Sequence, residues 1–321
     1  MDFLANYFGS LNPMSFLSAL PGNIAQGIIW GLMGLGVFLT FKLLNFADLS
    51  VDGSFATGGA VTAVMLINGC PVWATIIVAI LAGLVAGLVT GLLHTLLGIP
   101  DILAGILTQI ALYSINLNIM GKSNLPISYR NYTLVVSASN INMAILVGLG
   151  ICAVVIAAMY WYFGTEQGST IRSTGSNTAM SKAQGININF TKVIALALSN
   201  GLVALSGSLF AQYQGFADIN MGRGAIVIGL AAVIIGEVLG EAIFRKHMNF
   251  IIRMLFVIVG GILYYIAMGI VLWLKMPTDD TKLFTAIIVA IFLAVPYLQK
   301  KRKTSFKKVA KMNAKNAQKE G

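Results

Sequence analysis

YFGTEQGSTIRSTGSNTAMSKAQGININ, from Tyr162 to Asn189, is the longest polar, glycine-dotted interval between hydrophobic stretches of this chain. Glu166, Arg172, Lys182 and many small polar residues keep it out of a bilayer core. Its middle, residues 178–183, carries no helix breaker; Gly175 stands before it and Gly185 after it, as a C-terminal stop would. The pattern fits a short helix lying at a membrane surface and presented to a partner. It fits an ordinary cytoplasmic loop equally well.

Outside that interval the chain is apolar. Of 321 residues, 57% are hydrophobic and only 10% charged, with mean hydropathy +0.84; soluble domains carry about 25% charged residues. Apolar stretches long enough to span a membrane recur, and they are continuous rather than alternating. The chain is therefore read as an all-α, polytopic helical membrane protein and not a β-barrel. The net charge of +10 is concentrated at one end: nine Lys and Arg between Lys300 and Lys319 face only Glu320. Residues 300–321 are thus expected to form a basic cytoplasmic tail touching membrane lipid, by the positive-inside rule; no nucleic-acid role is assigned to it. The first 21 residues place Phe3, Leu4, Tyr7, Phe8 and Leu11 on one helical face and lack a basic leader, which suits an interfacial N-terminal segment. Cys70 and Cys152 have no metal-ligand spacing and are read as inert thiols.

Nine apolar segments fill residues 22–299, within a range of eight to ten: 22–44, 54–67, 71–98, 100–121, 143–163, 190–214, 222–240, 250–274 and 283–298. The second is short and glycine-rich and follows the polar interruption NFADLSVDG, residues 45–53, so a broken helix is expected there. The third carries Gly83, Gly87 and Gly91 at i, i+4, i+8, a stripe that permits close helix contact. With the basic tail inside, the interval 164–189 falls inside and the N-terminus outside. The chain also matches itself at an offset of 170 (Gly31-Leu32 against Gly201-Leu202). Phe46-Ala47-Asp48-Leu49 meets Phe216-Ala217-Asp218-Ile219, and Gly59 meets Gly229. In this topology the first copy starts outside and the second inside, the inverted repeat of many transporters.

Ionisable residues in or beside spans are costly and must pair, line a cavity or sit at the interface. Asp48 and Asp52 straddle the break after Asn45, and for Asp48 a helix N-cap is favoured over solute contact. Gln109, Tyr113 and Asn116 share one helical face, suited to a polar path or to interhelical hydrogen bonds. Glu237 and Arg253 read as anchors of helix ends, and Glu241 and Arg245 are spaced as an i, i+4 pair. The string NLNIMGKS, residues 116–123, imitates the end of a phosphate-binding loop but lacks its first glycine and follows a membrane helix. No catalytic or metal motif stands out, so no enzyme activity, cofactor or metal is expected in this chain.

TGSNTAMSKAQGIN, residues 174–187, resembles the "GxNxxMAxxxGIN" pattern of permease subunits in the bacterial ABC importers that include the branched-chain amino acid and ribose-type permeases. In that family the pattern forms the cytoplasmic coupling helix that docks on the ATPase. Gly175, Asn177, Met180, Gly185, Ile186 and Asn187 match it, and Ser181 stands where alanine is common. NFA at Asn45 and DLSV at Asp48 resemble segments of the branched-chain and sugar permeases respectively. The strings LNFADLSVDGSFATGGAV and GIPDILAGILTQIALYSINLNIMGKSNLP are similar to an uncharacterised branch associated with tryptophan/tyrosine-type uptake. The resemblance implies a permease domain over residues 22–299 of an importer in the bacterial cytoplasmic membrane. It implies a homodimer with two cytoplasmic ATP-binding subunits that hold ATP and Mg, and an extracytoplasmic solute-binding protein. The solute would be an amino acid, aromatic in type. Asn45, Asp48, Asp52, Gln109, Tyr113 and Asn116 are the candidates for its path. A nucleoside or sugar permease and an ion-coupled secondary transporter remain the alternatives.

Overall fold

The computed structural model describes residues 13–128, 132, 134–244, 248–274, 283–292 and 294. The apolar face at residues 3–11, Arg245, the loop 275–282 and the basic tail lie outside the described residues. Among the described residues, seven helices are long and apolar enough to cross a membrane. The first is α1 (Pro13–Val37), continued as a π-helical turn, Phe38–Leu43. It begins nine residues before the expected Gly22 and takes Pro21 within it. After it come α2 (Val51–Ile67), α3 (Val72–Thr95), α4 (Asp101–Met120), strand β1 (Asn124–Pro126) and α5 (Ile141–Gly164). The polar interval folds as α6 (Glu166–Ser176) and α7 (Thr178–Ala183), followed by α8 (Ile188–Gln214), strand β2 (Phe216–Asp218), α9 (Ala225–Phe244) and α10 (Phe250–Trp273). Two of the nine expected segments are shorter: α2, and α11 (Leu283–Phe292). The break expected near Asn45 lies before α2, which is itself continuous.

The bundle is built around α1 and α8. Of their most apolar stretches 83% and 72% is buried, against 28–39% for the five other long helices, so those five present apolar flanks outward while α1 and α8 form the centre. Helix α3 packs along α8, and α10 packs along α1. These are equivalent pairings in the two copies, exchanged between them. The predicted stripe Gly83, Gly87 and Gly91 faces the α8 backbone at Asn200, Leu196 and Val193. Helices α2 and α8 cross closely because Gly207 abuts the Phe55 carbonyl and Gly58 abuts the Ala204 carbonyl. Hydroxyls then join the helices: Thr62 donates to Ser208 at 2.7 Å, Ser206 to the Ile29 carbonyl at 2.7 Å and Ser199 to the Gly36 carbonyl at 2.8 Å. Small residues and short hydroxyls are how helices associate where burial in lipid gives no hydrophobic advantage.

The repeat is visible in local chemistry. Asp48 Oδ1 accepts the Ser50 amide at 2.9 Å, and Asp218 Oδ1 accepts the Asn220 amide at 2.7 Å. The same Asp-centred turn thus precedes α2 in one copy and α9 in the other. From these two turns the helices α2 and α9 run toward opposite ends. Helix α8, about 40 Å long, separates α7 at its N-terminus from β2 at its C-terminus. The first turn lies midway along α8, where Asp48 meets Asn200, and α2 runs from it toward the β2 end, where Thr62 meets Ser208, whereas α9 runs toward the α7 end, where Glu237 meets Lys42 of the π turn. The second lies in β2, antiparallel to β1 with Leu125 opposite Ala217. The copies are therefore inverted.

Candidate functional site

The chain leaves α1 through widened turns. The Leu44 amide bonds to the Leu39 carbonyl at 3.1 Å and the Phe46 amide to that of Thr40 at 2.9 Å. Asn45 follows in the left-handed region at φ 55°, where Asn is tolerated far better than a branched side chain. Its side chain is exposed. Asp48 is buried and holds the loop to the core: Oδ1 takes both donors of Ser50, and Oδ2 takes Asn200 Nδ2 at 2.7 Å. The residue at the N-cap of α2 is Ser50, not Asp48; Asp48 braces that cap and binds α2's approach to α8.

Asp52 does something the local sequence does not disclose. From the first turn of α2 its Oδ2 accepts the Gly224 amide at 2.9 Å and its Oδ1 accepts the Ile226 amide at 2.9 Å. It caps the N-terminus of α9, which belongs to the other repeat. The unpaired first-turn amides and the positive end of the helix dipole favour a carboxylate there. Gly222, at the position equivalent to Asp52, abuts the Asp52 carbonyl, so the repeats meet at this point.

Asp52 also borders a cavity of about 380 Å3, which Gln109, Tyr113, Asn116 and Arg223 line as well. Four of the six path candidates thus converge on one space, while Asn45 and Asp48 are not among the residues that line it. On α4 the order 109, 113, 116 turns Asn116 fully inward, leaves Gln109 half-buried and Tyr113 exposed at the mouth. Asn116 is 1% exposed, and neither Oδ1 nor Nδ2 has a hydrogen-bond partner. Arg223, exposed in the turn before α9, forms no ion pair among the described residues. In the sequence Arg223 is one charge among several beside the apolar segments, because the loop that carries it reaches α4 only in the folded chain.

At the α7 end a different surface forms. Three short polar side chains start three consecutive helices. Thr165 Oγ1 accepts the Gly168 amide, Asn177 Oδ1 accepts the Met180 amide at 3.0 Å and Asn187 Oδ1 accepts the Phe190 amide at 3.1 Å. Gly185 ends α7 at φ 80°. Asn177, Gly185 and Asn187 therefore set the outline of α7, and Gly175 lets α6 approach the end of α1. Ser181 alone of the residues in α7 is buried; Thr178, Ala179, Met180, Lys182 and Ala183 are exposed, and Ile186 is half-buried. The helix expected over 178–183 is present, whereas α6 was not foreseen. Beside it Glu237 joins Lys42 of the π turn at 2.8 Å and Arg253 of α10 at 3.5 Å, the anchoring expected of Glu237 and Arg253.

Residues 22–296 match the family described as "Branched-chain amino acid transport system / permease component". The chain belongs to this family. It is a permease subunit of an ABC importer, a multi-pass protein of the cytoplasmic membrane. Like other permeases of this family it is not an enzyme, since ATP is hydrolysed on a separate subunit. The permease is 42% identical over 301 residues to the tyrosine transport system permease protein of Clostridioides difficile, with 93% of this chain and 99% of that one covered. It is 31% identical to an uncharacterized protein of Rickettsia prowazekii, covering 84% and 95%. Its fold is similar to that of PsaBC from Streptococcus pneumoniae in complex with Fab, at a TM-score of 0.52 and 16% identity over 91% of this permease and 94% of that chain.

Proposed function

We propose that this permease imports an aromatic amino acid along a path that runs through the cavity between α2, α4 and the turn before α9. The observation that carries this reading is the convergence of Asp52, Gln109, Tyr113 and Asn116 on that cavity. The unpaired Asn116 carboxamide, beside Gln109 and the exposed Arg223, suits a small, doubly polar solute. The high identity to a protein named for tyrosine transport supports the amino-acid class. Asn45 and Asp48 act one step removed, by setting the turn from which α2 starts. The permease works as a homodimer with two cytoplasmic ATP-binding subunits, which hold ATP and Mg, and with an extracytoplasmic solute-binding protein. Helix α7 seats in a groove of the ATPase, with Gly175, Asn177, Gly185, Ile186 and Asn187 shaping it and Met180 as the protruding contact. The α7 end and the C-terminal tail are cytoplasmic. ATP-driven closure is passed through α7 to the bundle, which opens the path alternately to either side.

Two measurements test this. Met180 is 59% exposed, so Met180→Glu is expected to leave the fold intact. It is expected to lose an ATPase that co-purifies with the wild-type protein from native membranes. In a strain lacking the chromosomal gene, a plasmid copy is expected to restore uptake of labelled L-tyrosine. Retention of the ATPase by Met180→Glu refutes the docking surface, and restored uptake of ribose or uridine instead refutes the solute.

A further inference from the structure

Trp30, Ser54, Thr174, Gln212 and Asn116 each bury a polar atom without a partner, and of these Asn116 is the one that lines the cavity. Thr108 is bonded to Thr90 at 2.9 Å, Thr62 to Ser208 at 2.7 Å and Asn200 to Asp48 at 2.7 Å. Asn116 is as deeply buried as these, yet its donor and its acceptor both lack a partner in the protein, and it lines the cavity beside Gln109 and Arg223. A dry, unpaired carboxamide is costly in any protein interior and more so within a bilayer. A leucine at this position of α4 would carry no such cost, so the group makes sense when something in the cavity bonds it.

The charges around it restrict what that is. Both Asp52 oxygens already accept α9 amides, so this carboxylate is fixed in place and partly balanced by the helix end. Arg223 has no carboxylate partner among the described residues. A solute here meets a free cation, a free donor and a free acceptor, with apolar wall from Ile106 and Ile110. At about 380 Å3 the cavity is near the lower end of ligand-site volumes, about 300–1,000 Å3, and takes one small molecule.

We propose that Asn116 is the specificity-determining contact of the permease and that it reads the α-amino-acid head group. Its Oδ1 accepts from the solute ammonium, its Nδ2 donates to the carboxylate, and the Arg223 guanidinium donates to the carboxylate's remaining oxygen. The solute side chain lies against Ile106 and Ile110. This rests on the cavity being the solute path.

The test uses the intact transporter in its own cells, with the chromosomal permease gene replaced by wild type, Asn116→Leu or Asn116→Gln. Permease abundance is measured in the membrane, and so is ATPase turnover without solute. Uptake is followed for labelled L-tyrosine, ribose and uridine, with tyramine and 3-(4-hydroxyphenyl)propionate as competitors lacking the carboxylate or the amine. Asn116→Leu is expected to lower tyrosine uptake about tenfold per unit of permease in the membrane, the scale of one lost hydrogen-bonded contact. Asn116→Gln, which keeps the carboxamide, is expected to recover part of the loss. Both competitors are expected to compete less well than unlabelled tyrosine with wild type, and that preference is expected to shrink in Asn116→Leu. Wild-type uptake of tyrosine with undiminished uptake by Asn116→Leu overturns the assignment of Asn116 and leaves the proposed solute standing. Wild-type uptake of ribose or uridine without tyrosine overturns both.

Discussion

Replacing Asp52 by alanine removes two hydrogen bonds that cross between the repeats. The carboxylate accepts the Gly224 and Ile226 amides, each at 2.9 Å, at the start of α9. Hydrogen bonds to a charged group contribute about 1.5–3 kcal/mol each, and loss of a helix cap costs about 0.5–2 kcal/mol. Asp52 is only partly buried, so water in the cavity will rescue some of the exposed amides. The lower part of the combined range, about 2–3 kcal/mol, is therefore the expected loss. At about 2 °C per kcal/mol for a chain of this size or somewhat smaller, Asp52→Ala should lower the thermal unfolding midpoint of the purified full-length permease by roughly 4–6 °C. Asp52→Asn should fall between the two. Its amide oxygen can accept one of the two donors, while its NH2 group faces the other and cannot. Unfolding is best followed by tryptophan fluorescence in a fixed detergent, since Trp30 lies in the core, stacked on Phe55. If Asp52→Ala melts within about 1 °C of wild type, Asp52 does not hold the two repeats together, and the argument from its geometry fails.

Three further outcomes follow from the packing. Gly207→Val places carbon against the Phe55 carbonyl, a backbone atom that cannot rotate away; it is expected to destabilise by more than about 3 kcal/mol, read as loss of folded protein in membranes. A Leu202→Val change on the same helix, half-buried and facing an apolar groove, is expected to cost about 1 kcal/mol and keep normal levels. Asn200→Leu leaves the buried Asp48 carboxylate without its partner on α8. The expected cost is about 2–3 kcal/mol, measured as a lowered unfolding midpoint, and a midpoint equal to wild type would remove Asp48 from the bracing role given to it here.

Much of this protein was legible in its sequence because the signals involved are local or periodic. Continuous apolar runs give helices, since a bilayer leaves the backbone no other way to satisfy its own hydrogen bonds. Gly83, Gly87 and Gly91 announced a close contact because a four-residue spacing keeps them on one face. The run from Asn177 to Asn187 was readable for the same reason: its caps are made by residues three positions away. Helix α6 escaped notice because Gly168 and Gly175 look like breakers. In the fold they are the residues that let it pack, against Phe163 and against Leu43. The repeat of Phe-Ala-Asp was evident as text, but its meaning needed the fold, since the helices that follow the two turns run toward opposite ends of the bundle.

The site divides along the same line. The residues of Asn116's face, i, i+4 and i+7 on one helix, could be grouped from spacing alone. That Asn116 is unpaired while the equally polar Thr108 is not depends on what α3 places opposite each of them. Asp52 sits 172 residues before Gly224 and 174 before Ile226, the amides it caps, and Arg223 joins the same cavity from beyond α8. Helix identity comes from interactions within a few residues, whose closure costs little entropy, and so it is written in order along the chain. Contacts between inverted repeats form only once whole helices have packed, and which polar group finds a partner there is settled by the packing.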